Sequence, residues 1–84
     1  MNIIFSKAAW DEYLYCQQTD KKTLKKINNL IEAITRSPYE GAGNPEQLKY
    51  EYSGYWSRRI DLKNRFVFVV KNDCCEILQC KEHY

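Results

Sequence analysis

Apolar residues recur at three- and four-residue steps in the first half of the chain and at two-residue steps in the second. Leu24, Ile27, Ile31 and Ile34, widened by Leu30, make a stripe of helical period from Lys21 to about Arg36, with no internal proline or glycine. It ends before Ser37-Pro38, because the residue preceding proline is pushed out of the α region. A shorter helix is expected from Lys7 to about Gln17, with Trp10, Tyr13, Leu14 and Gln17 on the face it buries. Ser6 and Asp20 stand at the two N-cap positions, where a side-chain oxygen can accept from an otherwise unpaired backbone N–H. Residues 1 to 5 read as a short strand.

From Ser37 to Gln47 the periodicity dissolves among Pro38, Gly41, Gly43 and Pro45, which reads as a loop. Strands are then expected over Leu48–Tyr50, Tyr55–Asp61, Arg65–Val70 and Glu76–Lys81, with turns at Glu51–Gly54, Leu62–Asn64 and Lys71–Asp73. Phe66, Phe68 and Val70 alternate with Arg65, Val67 and Val69, so one set meets the helices and the other shares a face with Arg65. In the preceding strand Tyr55, Ser57 and Arg59 alternate with Trp56, Arg58 and Ile60. Period alone leaves open which of those two sets is turned outward. The pattern predicts an α+β domain over residues 1 to 84, two N-terminal helices packed on one face of a mostly antiparallel sheet, the other face open.

Size and composition narrow this picture only a little. A chain of 84 residues has room for one modest core. No apolar run approaches the roughly 20 residues that cross a bilayer. The N-terminus has neither a basic start nor a small-residue cleavage site, so the expectation is a cytoplasmic protein without a membrane partner. Of the cysteines Cys16, Cys74, Cys75 and Cys80, the adjacent pair would point to opposite faces of a strand, poor geometry for a shared metal. They are read as structural or incidental thiols, and no cofactor is expected. The net charge of +2 is too small to argue for a polyanion by itself. Its placement says more: Lys21, Lys22, Lys25 and Lys26 crowd one helix, and Arg58, Arg59 and Arg65 crowd the central strands.

The candidate chemistry is a set rather than a motif. Glu46 follows Pro45 at the end of the glycine-proline loop, Lys49, Arg59 and Arg65 supply cations, and His83 and Tyr84 close the chain. Cleaving RNA through its own 2′-hydroxyl requires a base, positive charge on the phosphorane oxygens and an acid for the leaving 5′ oxygen. A carboxylate, guanidinium groups and a histidine form a complete set of that kind, and a guanidinium fork can grip two phosphate oxygens. A module that only binds RNA and blocks translation would use the same lysines and arginines but has no use for His83.

Several blocks, in order, carry a resemblance. They are Ser6 with Trp10-Asp11-Glu12-Tyr13, Lys25 to Asn28, Pro38 to Gly41, Gly43 to Lys49, Ser53 to Ile60, Asn64-Arg65 and the closing Cys80-Lys81-Glu82-His83-Tyr84. Together they make the chain resemble, from end to end, the YoeB/Txe toxins of type II toxin–antitoxin systems, in the RelE superfamily. The resemblance implies the compact microbial RNase-like (RelE-like) fold and a ribosome-dependent endonuclease that cuts mRNA in the A site without a metal. It implies Glu46 as general base, His83 as general acid and Arg65 as the arginine facing the transition state. Lys49 and Arg59 would hold the scissile phosphate, and Tyr84 would orient substrate. Candidates for rRNA contact are Lys21, Lys22, Lys25, Lys26 and Arg58, the last left between a structural role and a ribosomal one. The implied partners are a YefM/Axe-like antitoxin, the ribosome, operator DNA reached only through the antitoxin complex, and a second copy of the chain. Cys16, where an aromatic residue is common, and Tyr50, where histidine occurs, depart from the family pattern away from the chemistry.

Overall fold

The computed structural model describes residues 1–81. In chain order its elements are β1 (Asn2–Phe5), α1 (Lys7–Thr19), α2 (Lys21–Arg36), β2 (Glu46–Gln47), β3 (Trp56–Arg59), β4 (Arg65–Lys71) and β5 (Cys74–Gln79). The five strands form one sheet in the order β1-β5-β4-β3-β2, parallel only where β1 meets β5. A β1–β5 parallel pair needs a long crossover, and here nearly the whole chain supplies it.

Both expected caps are in place. Ser6 Oγ accepts from the Ala9 N–H at 3.0 Å, and Asp20 Oδ1 accepts from the Thr23 N–H at 3.0 Å. Asp20 is the single residue between the helices, which fold back so that the Tyr13 hydroxyl donates to Asn28 Oδ1 at 2.7 Å. In α2 the fully buried residues are Ile27, Leu30 and Ile34, with Leu24 and Ile31 packed beside them. In α1 the expectation needs correction. Ala9 and Cys16 are the buried positions, whereas Trp10 remains 43% exposed. Large rings do not fit against the sheet where a methyl and a thiol already touch it. Trp10 stacks on Tyr13 instead, with Phe5 against both.

Two further corrections fall around the loop. Glu46–Gln47, expected as loop, is a short edge strand paired with β3. Tyr50–Tyr52 is a 3-10 turn, so the strand expected over Leu48–Tyr50 does not form. Tyr50 itself has φ of +58°, a left-handed conformation that no strand accommodates. The hairpin from β3 to β4 forms as the pattern predicts. Asp61 Oδ1 accepts from the Lys63 and Asn64 N–H groups at 2.8 and 2.7 Å and closes the turn.

The core lies between the helices and one sheet face. Phe66, Phe68, Cys75, Ile77 and Ile60 pack there against Ala9, Cys16, Ile27, Leu30 and Ile34. Cys75 is buried while Cys74, on the opposite face, is half-exposed. Burial pushes the Cys75 thiol to about 11 and the Cys80 thiol to about 12, values that make them inert packing groups. Among the described residues no helix is long and apolar enough to cross a membrane.

Candidate active site

The strand register decides which side chains meet. Glu46 pairs with Ser57, Ser57 with Val67, and Arg59 with Arg65. Directly paired residues point to the same face, so Glu46, Ser57, Arg59 and Arg65 all stand on the face away from the helices. The parity left open by the sequence is thereby settled, with Ser57 and Arg59 outward and Trp56 and Arg58 inward.

Arg65 reaches diagonally across β3. Its Nη1 lies 3.5 Å from Glu46 Oε2 and donates to Ser57 Oγ at 3.4 Å. The Glu46 side chain is 55% exposed and the Arg65 side chain 15%. This is a loose ion pair with a reachable carboxylate, not a sealed structural bridge. Opposite it, Arg59 is exposed. Two guanidinium groups directly across a strand pair repel each other, and one carboxylate beside them balances only one charge. Such an arrangement suits an anion: a phosphate there would relieve the repulsion and could be gripped by both forks.

Lys49 is exposed and, with Glu46, lines a concavity of about 500 Å³ that continues to Tyr52. A second cleft, about 740 Å³, runs between α2 and the β3–β4 turn and is lined by Lys22, Lys26, Asn44, Arg59 and Asp61, among others. Lys21, Lys22, Lys25 and Lys26 are all exposed; only Lys22 and Lys26 flank this cleft and so carry the positive surface onward from Arg59. His83 and Tyr84 lie outside the described residues. The chain leading to them is secured as far as Lys81. Ser6 Oγ donates to the Leu78 carbonyl at 2.8 Å, the Cys80 N–H donates to Glu12 Oε1 at 2.9 Å, and Lys81 Nζ sits 4.0 Å above the Tyr15 ring.

Of the two roles left open for Arg58, structural and ribosomal, burial excludes the second. Arg58 is 0% exposed and offers no surface to a nucleic acid. Its parity places it under the sheet, where Nη2 donates to the carbonyls of Ser37, Pro38 and Glu40 and Nη1 to that of Ala42. Burial pushes its pKa down from the ordinary arginine value. Ser57 is the site residue that sequence reasoning passed over. Its alternation with Arg59 was the available signal, but a small buried hydroxyl carries no charge pattern.

A family model described as the YoeB-like toxin of bacterial type II toxin–antitoxin systems matches residues 5–84. The chain belongs to this toxin family. It is 50% identical to toxin YoeB of Escherichia coli (strain K12) over 84 residues, all of both chains. The YoeB/ParE toxin from Agrobacterium tumefaciens superimposes with a TM-score of 0.98 at 42% identity, again over the whole of both chains. Staphylococcus aureus YoeB has been solved as a dimer, with a TM-score of 0.94 and 47% identity, and as a YoeB–YefM complex, at 0.93 and 46%. In each case all of this chain and 98% of the other are covered. The RelE-like α+β fold expected from the sequence is thus the fold of this YoeB-family toxin, and the outward face of its sheet is the same face that gathers Glu46, Arg59 and Arg65.

Proposed function

We propose that this toxin is a ribosome-dependent endoribonuclease that cuts mRNA in the A site, and that the open sheet face is where it cuts. The observation that carries the reading is the pairing of Arg59 with Arg65 beside the reachable carboxylate of Glu46. Glu46 takes the proton from the 2′-hydroxyl, whose oxygen attacks phosphorus. Arg65 and Arg59 meet the charge growing on the non-bridging oxygens, and Lys49 holds the phosphate from the β2 side. His83 gives a proton to the departing 5′ oxygen, and Tyr84 orients the substrate. The products are a 5′-hydroxyl and a 2′,3′-cyclic phosphate, which water opens to a 3′-phosphate. The set is complete without a metal ion or other cofactor.

The reading extends to partners. Lys22 and Lys26, continuing the positive surface from Arg59, and Lys21 and Lys25 beside them, would seat the toxin on rRNA. An affinity of that kind falls as salt rises. The Staphylococcus aureus complex supports a YefM/Axe-like antitoxin as partner, and the dimer supports a second copy of the chain. Operator DNA would be reached only through the antitoxin in an autoregulatory complex, and the toxin would act in the cytoplasm, where ribosomes are.

Mapping both ends of fragments from a translating extract tests the reaction. Cuts within the A-site codon with 5′-hydroxyl and cyclic-phosphate ends are expected. Ends bearing 5′-phosphate would overturn the mechanism, and translational arrest without any cut would favour the RNA-seated blocker.

A further inference from the structure

The loop between α2 and β2 delivers Glu46, and its interior holds a group that the proposed chemistry does not use. Residues 37–42 wrap around the Arg58 guanidinium, which takes the carbonyls of Ser37, Pro38, Glu40 and Ala42. Among the described residues no carboxylate pairs with the guanidinium; its hydrogen bonds all go to backbone carbonyls. Its Nε finds no partner among the described residues. A cation buried this way is costly, and an apolar residue often fills such a space at least as stably. Its benefit is therefore to be sought in what it organises.

One strand grips the loop at two successive residues. The Arg58 side chain gathers the carbonyls of the first half, and the Arg59 N–H donates to the Gly43 carbonyl at 2.6 Å in the second. Gly43 sits so close that a Cβ there would meet Arg58 Cβ and the Arg59 carbonyl oxygen, each at 3.0 Å. Three residues later the chain joins β3, with Glu46 opposite Ser57. Four convergent carbonyls would repel one another without a multiply donating cation among them. Arginine, with donors in a planar fork, suits divergent acceptors; the lysine ammonium is a single point.

We infer that Arg58 is a positioning residue for catalysis, holding the 37–43 loop in the form that sets Glu46 against Arg65 and the scissile linkage. The inference rests on the reading of Glu46 as general base. The test compares wild type, Arg58→Lys, Glu46→Gln and the double variant in single-turnover cleavage of ribosome-bound mRNA, with ribosome affinity and thermal melting followed alongside. Arg58→Lys is expected to cleave about 10- to 100-fold more slowly at saturating ribosomes, with unchanged affinity. In the Glu46→Gln background the same change is expected to do less than about twofold, because a misplaced base matters only where there is a base. A wild-type rate for Arg58→Lys, or an equal penalty in both backgrounds, would overturn the inference. Wild-type cleavage by Glu46→Gln would instead overturn the assignment of the base itself. Should Arg58→Lys fail to fold, Tyr39→Ala takes its place in the cycle, since the Tyr39 ring braces the same loop against Trp56 with centroids 4.6 Å apart. The same two outcomes then decide.

Discussion

The two faces of this sheet are built from the same strands, one residue apart, and are put to opposite uses. Beneath it Trp56, Arg58, Phe66 and Phe68 face the helices; above it Ser57, Arg59, Arg65 and Val67 do not. Arg58 and Arg59 are neighbours in sequence and identical in chemistry. One is wholly buried and committed to four backbone carbonyls, whereas the other is exposed. Strand parity, not residue type, turns one guanidinium into the architecture and the other toward solvent. The lower face is packed, and its one guanidinium is held by backbone carbonyls at both terminal nitrogens. The upper one is left with paired cations and a loosely held carboxylate, an arrangement that gains from a phosphate.

Substitutions can break or sharpen that contrast. The largest effect on folding is expected from Phe66→Ala, which empties a fully buried site and should cost about 3 to 5 kcal/mol. For a domain whose whole margin is about 5 to 15 kcal/mol, that would be seen in a thermal or urea melt. Arg65→Ala, on the upper face one position earlier, should instead lower cleavage by about 100-fold or more, with a far smaller shift in melting temperature. A comparable loss of stability from both would erase the distinction between the faces.

Smaller effects lie at the helix caps. Ser6→Ala removes both the cap on α1 and the bond to the Leu78 carbonyl. Capping losses run at about 1 kcal/mol, and the melting temperature should fall accordingly. The smallest expected effect concerns Asp20. Bonds from the Thr23 hydroxyl and N–H hold its carboxyl below the ordinary range. A folded pKa below the unfolded value of about 3.9 means stability that is present above that value and lost as pH falls through the folded pKa. The melting temperatures of wild type and Asp20→Asn should therefore draw closer as pH falls below the unfolded value toward the lower folded one.

Much of this organisation could be read before any coordinates. The α2 stripe, both caps and the Leu62–Asn64 turn depend on local rules: helical period, an oxygen one residue before a helix, a polar break between two strand-like runs. The failures came where tertiary contact overrode them. Trp10 looked like core, but the small Ala9 and Cys16 take that place, with Tyr13 half-buried beside them, since close approach to a sheet selects size as well as polarity. Glu46–Gln47 looked like loop because two residues carry no period, and a partner strand made them an edge. The fate of Arg58 was beyond local reasoning altogether. Its acceptors lie 16 to 21 positions away in sequence, and nothing near Arg58 announces them. For the candidate site, residue types were evident from the sequence, but the shared face of Glu46, Arg59 and Arg65 required the register.

The most direct measurement is the cleavage rate of ribosome-bound mRNA by Glu46→Gln, taken at saturating protein while ribosome binding is followed in the same samples. Glutamine keeps the shape of the side chain and cannot take the 2′ proton as carboxylate does. The account predicts unaltered binding and a rate at least about 100-fold lower. Cleavage at the wild-type rate would contradict it, because the open face would then contribute charge to the reaction but no base.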